Sequence, residues 1–447
     1  MAPRQRTQNP ITTARSHLPQ LDVMQATKRA LEHLLCALGD PVAELHGIGP
    51  EHPEYVRAQT IRAAAGVLAK VPDALPALER SIHGLDALPL STQARSHLSA
   101  ARAWLRGDPL LAAETYALIL ARWPSDLLAL RLAHSCYFFL GKHRRLCEII
   151  DAVEPQWRDD QPGFRLLLAM ASFAYAESGD ASRAEALGRR ALAYEPGCPM
   201  GVHAVAHALA ESNRYREGAQ WMRDQRTHWA TKSRMRTHNA WHLAMFDVET
   251  GNVDSALEIL DRCVLPASAR SPLDACDAAG LLWRLKMRGV DSRRRWRRLS
   301  SAFERSTPGF WPYVDLHAGL AHLCAGRKAR TQRLSRAIER CAQGEGYAAL
   351  RARLVTQPGL KALELWTERR YADGSTLDVS QAGGSRIQLA VLKSVEDEAL
   401  RSAPRRSPPQ AQAQQARPFI STQQGDTQWK ARKPTTDPVF VAQCSSP

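Results

Sequence analysis

The sequence predicts an all-α chain, a right-handed α-solenoid of stacked helical hairpins, and three observations predict it. Apolar residues recur at helical spacing, helix-ending landmarks recur at a near-constant period, and small residues recur at a fixed offset from them. The landmarks are Gly107, Gly141, Gly179, Asn213, Gly251, Gly289 and Gly326, separated by 34, 38, 34, 38, 38 and 37 residues. Each closes an apolar helical stretch, as in AWLRG, YFFLG and FDVETG. Most are followed by a second such stretch, and several of those end at proline: Pro124, Pro155, Pro196 and Pro266. Ala112, Ala184, Gly218 and Ala256 each stand five residues past a landmark, where a small side chain lets two helices approach closely. A period near 34 residues with a helix, a turn and a helix in each unit is the tetratricopeptide arrangement.

A helical hairpin cannot bury its apolar face alone, so neighbours must stack. The 447 residues therefore read as one array rather than several globules. The array is expected over residues 21–395. The segments ATKRALEHLLCALG and STQARSHLSAARAWLRG supply early helices. Before it, residues 1–20 are expected to be a disordered basic stretch, and with no apolar segment behind it no secretory signal is expected there. After it, residues 396–447 are rich in Pro, Gln, Ser and Thr and lose apolar periodicity, which predicts a disordered tail.

Composition narrows the function classes. No run of about eighteen apolar residues exists, so no membrane span is expected. The nine cysteines are scattered and include no C-x-x-C pair, which argues for reduced thiols in a cytoplasmic protein. The net charge of +15 suggests nucleic acid until it is located: residues 1–30 carry +4 and residues 401–447 carry +5. A nucleic-acid partner is therefore not expected. One dense cluster, Arg293, Arg294, Arg295, Arg297 and Arg298 around Trp296, reads as a solvated helix face. There is no phosphate-cradling glycine loop, nucleophile elbow or cysteine nucleophile context.

The polar residues that carry a pattern are histidines. HAVAH places His203 and His207 four apart, and HNAWH does the same with His238 and His242. Fifteen histidines in this length should give on the order of half such a pair by chance, and two occur, in neighbouring units. With His317 and Glu177, these residues fall at landmark offsets that return to one face of the first helix of each hairpin, and Asp277 lies close to that face. Asp315 and His134 fall off it and read as packing. In such arrays the first helices line the concave surface, the usual binding surface. The expectation is an open groove lined by imidazoles. Two imidazoles four apart also suit a metal, but a hydrolytic zinc helix would put Glu after the first histidine, where this chain has Ala204 and Asn239. No cofactor is required by this reading, and a divalent metal at the histidine pairs is the alternative.

The stretches SDLLALRLAHSCYFFLG, HAVAHALA, HNAWHLAMF, DAAGLLWRL and YVDLHAGLA resemble the tetratricopeptide repeat protein 38 family, over about residues 25 to 386. The resemblance implies an α-solenoid and an intracellular protein, and it implies no reaction. It places a polar set on His203, His207, His238, Asn239, His242, Asp277, Arg284, Asp315 and His317. Family members carry Glu where this chain has Ala210. They also carry Gln-Arg-Asp after the Gly-Gly-Ser motif, where this chain has Gln388, Leu389 and Ala390. If the family site is catalytic, diminished activity is expected here.

Two functions follow as expectations. The first is a binding or scaffold protein whose concave groove holds a peptide or small polar ligand on His, Asn and Asp. The second is a small-molecule enzyme using the His/Asp cluster for acid–base or metal-assisted chemistry. The binding reading is preferred, because Ala210 and Ala390 weaken the enzyme reading.

Overall fold

The seven landmarks all turn the chain the same way. In the computed structural model, which describes residues 20–231, 233–367 and 378–402, all seven have positive φ, from 56° at Asn213 to 92° at Gly179. The backbone repeats one closure: Gly107 N–H donates to Trp104 O and Asp108 N–H to Ala103 O. The same pair of bonds recurs at Gly141, Gly179, Asn213, Gly251, Gly289 and Gly326. This closure satisfies helix-end carbonyls and needs a left-handed residue, which explains glycine and its one replacement by asparagine. Asp108 and Asp180, just past two of these turns, cap the next helix by accepting from Leu111 N–H and Arg183 N–H.

The described residues are helical throughout, with one isolated bridge between Leu38 and Ser233. Helix Gln20–Cys36 and the pair Tyr55–Ala69 and Leu75–Asp86 come first. Seven hairpins follow, whose first helices are Thr92–Leu105, Leu127–Phe139, Phe164–Ser178, Pro199–Glu211, Arg236–Glu249, Pro272–Met287 and Pro312–Cys324. From Leu127–Phe139 onward, each of these first helices packs on the next. The close approaches read from sequence are present: Ala112, Ala184 and Ala256 are fully buried, and a Cβ on Gly218 would strike the Phe246 ring. The arginine cluster lies on helix Arg293–Ala302, with Trp296 buried and Arg293, Arg294, Arg297 and Arg298 exposed.

Two expectations are corrected. Pro266 does not end its helix. The chain passes through a π turn at Leu260–Val264 into Leu265–Ala267, and a wider turn accommodates a residue with no N–H to donate. The boundary at residue 395 is also early, because helix Arg386–Ser402 continues past it. Its apolar side, including Ile387, Leu389, Val391, Leu392 and Val395, is buried, and its packing against helices Pro199–Glu211, Pro272–Met287 and Gln357–Thr367 supplies the missing reason for order. The stretches expected to be disordered, before residue 20 and after residue 402, lie outside the described residues, as do residues 368–377.

Candidate functional site

Helices Pro199–Glu211 and Arg236–Glu249 pack together and bring the two histidine pairs into one cluster. The rings of His203 and His242 lie 4.5 to 5.1 Å, centroid to centroid, from each other and from those of His207 and His238. One ring nitrogen from each lies within 4.8 Å of those of the other three. His203 Nε2 and His207 Nε2 approach to 3.1 Å. Phe173 stacks on His203 at 5.7 Å and Trp241 on His238 at 5.2 Å, so the cluster is walled by aromatic rings.

The surroundings hold these imidazoles in different states. Burial, followed by the neighbouring histidines, pushes His203 and His242 well below the usual histidine range, so both are neutral. Burial would lower His238 as well, but the Asp277 carboxylate outweighs it and holds His238 above that range. Neither nitrogen of His242 has a hydrogen-bond partner, and leaving such groups buried and unmade costs about 1–3 kcal/mol each.

Two carboxylates stand behind the cluster. Asp277 Oδ2 is 2.7 Å from His238 Nδ1, and Glu177 Oε1 is 3.0 Å from His207 Nδ1, close enough to pair but without a well-aligned hydrogen bond. With both Nδ1 atoms turned to carboxylates, both Nε2 atoms are free to face inward. Each carboxylate gives its second oxygen to the C-terminal segment: Arg386 N–H donates to Glu177 Oε2 at 2.8 Å, and Gln388 Nε2–H to Asp277 Oδ1 at 2.8 Å.

That segment closes the face on which an open groove was expected. Residues 378–402 lie across it, tied by Tyr313 N–H to Ala382 O, Arg284 Nη2–H to Ile387 O and Trp283 Nε1–H to Ser394 Oγ. His143 Nε2 sits 2.8 Å from Gly384 O. Gly383 and Gly384 pass so close to Phe139 O and Tyr313 that a Cβ on either would collide. The expected groove lining is accordingly interior: Glu177, His203, His207, Asn239, His242, Asp277, Asp315 and His317 are buried, and His238 and Arg284 keep partial exposure. The physical reason is an amphipathic helix at the end of the array whose apolar side matches that face.

The expected residues do not all converge. His203, His207, His238 and His242 meet, with Glu177 and Asp277 behind them. Arg284 joins the site only through the segment, its other contact being Glu249 at 2.9 Å. Asp315 accepts from Gly309 N–H at 3.0 Å, and His317 Nδ1 faces Tyr313 O at 2.7 Å, so both serve their own helix start. Asn239 is fully buried with neither amide atom bonded. Among residues outside that set, His143 sits on a second helix, where the face argument did not look. Gln388 carried no signal in helical spacing, since its partner Asp277 lies 111 residues earlier.

A cleft of about 1190 Å³ opens beside the segment, lined by Lys142, His143, Glu211, Arg284 and Arg386. Ala210, Leu389 and Ala390 also border it. No protein-family model matches the chain.

Proposed function

We propose that this chain is a tetratricopeptide-type α-solenoid, akin to the tetratricopeptide repeat protein 38 family, that holds one divalent transition-metal ion on His203, His207, His238 and His242. The observation that carries the proposal is the convergence of four imidazoles, three buried and His238 partly so, with one nitrogen of each within 4.8 Å of the others and both nitrogens of His242 without a partner. Four imidazole nitrogens suit Zn²⁺, Cu²⁺ or Ni²⁺ rather than Mg²⁺ or Ca²⁺, the ion displacing the proton that Asp277 helps His238 to hold. A tetrahedral zinc with ligands at about 2.0–2.1 Å has N···N edges of roughly 3.3 Å, close to the 3.1 Å between His203 Nε2 and His207 Nε2. Glu177 and Asp277 fit the outer carboxylates that orient metal-binding imidazoles, and their two negative charges balance a dication in a buried place.

Four protein ligands close a coordination sphere, which favours a holding role over hydrolysis. The occupant of the groove is then the chain's own segment, residues 378–402, with Arg386 N–H and Gln388 bonded to the carboxylates that steady the ion. A peptide or small polar ligand would use the adjacent cleft. The test is metal analysis of the purified, untagged protein alongside His203→Ala and His242→Ala. A stoichiometric transition metal, lost in both variants, is expected. Wild-type protein that stays metal-free after incubation with Zn²⁺, Cu²⁺ and Ni²⁺ overturns the proposal.

A further inference from the structure

Three cations gather where no carboxylate meets them. Lys70 ends helix Tyr55–Ala69 in a left-handed conformation, φ 51°, which a long side chain adopts only under constraint. Its Nζ donates to Ser135 Oγ at 2.7 Å and Leu68 O at 3.3 Å, both neutral acceptors. Arg131 lies one turn before Ser135 on helix Leu127–Phe139, which packs on helix Tyr55–Ala69, and its Nε–H is buried with no partner. Arg234 stands just ahead of helix Arg236–Glu249, where its backbone N–H is anchored to Ala37 O at 2.8 Å.

The three feel one another's charge. Burial, then Arg131, pushes the Lys70 ammonium down to about 7, and burial, then Arg234, pushes Arg131 down to about 10. Among the described residues, none of the three has a carboxylate within ion-pair distance. Several inward arginines are paired, Arg223 with Asp247, Arg165 with Glu195 and Arg284 with Glu249, whereas Arg351 meets the neutral Gln381 Oε1. The carboxylate whose charge bears on Arg234 is Asp40, and its Oδ1 accepts from Val42 and Ala43 N–H in its own loop.

We propose that Lys70, Arg131 and Arg234 form a binding site for a small carboxylate or phosphate anion, where helices Tyr55–Ala69 and Leu127–Phe139 pack together and the chain enters helix Arg236–Glu249. The place is rich in N–H donors and poor in acceptors, which selects a ligand that only accepts. Lys70 and Arg131 are partly exposed and Arg234 is exposed, so a small anion can reach them. A bound anion supplies the counter-charge that the fold leaves out, which is otherwise costly for desolvated cations. None of the three donors belongs to the four-histidine cluster, so the anion does not need that cluster occupied.

Calorimetric titration of the full chain at pH 7 with inorganic phosphate and with succinate, at ionic strength matched by sodium chloride, tests the site. Saturable binding of at least one probe is expected, weakened about ten-fold or more in Arg131→Met and Lys70→Met, with Arg294→Met as an unaffected control. If Lys70→Met fails to fold because its helix-end contacts matter, Arg131→Met carries the test. Binding should persist after chelation and in His242→Ala, which separates it from the metal reading. No saturable binding of either probe, equal binding by Arg131→Met, or binding only when metal is present overturns the site.

Discussion

Two groups of buried histidines on first helices make opposite use of their nitrogens. Around His317 and His322, the histidines and the nearby carboxyl each have a partner: His317 with Tyr313 O, His322 Nδ1 with Ser300 Oγ at 2.8 Å, and Asp315 with Gly309 N–H. Around His203, His207, His238 and His242, the nitrogens face one another, and His242 has no partner at all. A buried polar group without a partner destabilises the fold unless something outside the chain completes it. Burial alone therefore says nothing of function. The difference lies in whether the donors and acceptors close among themselves.

Acid should destabilise both groups, since His203 and His242 are pushed down by burial just as His317 and His322 are. Burial, its leading cause in each case, pushes His317 and His322 down to about 4. Their unfolded counterparts titrate near 6.5, so between about 6.5 and 4 the unfolded chain binds more protons. Stability is full above that window and falls as pH drops through it, by an upper limit of roughly 3 kcal/mol for each group. Urea melts from pH 7.5 to 4.5 should show the loss, and His322→Leu should flatten it. A pH-independent midpoint would contradict the neutral burial of these rings.

Metal should act on the open group alone. An ion at a thousand-fold excess over its Kd stabilises the fold by about 4 kcal/mol. Chelation should lower the melting midpoint of wild type and of His317→Leu, and should leave His242→Ala unmoved. An equal response from His242→Ala would place the ion elsewhere.

Smaller changes sharpen the contrast. Asp315→Ala strands Gly309 N–H in a buried place and should cost about 1–3 kcal/mol, with metal content unchanged. In metal-free protein, His242→Leu removes two unmade nitrogens at nearly constant volume and should be neutral or stabilising by about 1 kcal/mol. A cost comparable to that of Asp315→Ala would mean that the His242 ring serves the fold.

The helical architecture was legible because its cause is local. A left-handed turn residue, a cap and a 3.6-residue apolar stripe act within a few positions of one another. All seven landmarks could therefore be marked from sequence, Asn213 included. The histidine pairs were legible for the same reason, since spacing of four places two rings on one face of one helix. That the two pairs meet, that Glu177 and Asp277 stand behind them, and that Lys70 joins Arg131 from 61 residues away depend on how hairpins stack. So does the closure of the expected groove. The segment after residue 378 reads as an ordinary amphipathic helix, and only packing shows that Arg386 and Gln388 reach carboxylates 209 and 111 residues earlier. Local propensity fixes each turn and helix, whereas the choice of partner across the array belongs to shape and charge complementarity that no window of the sequence contains.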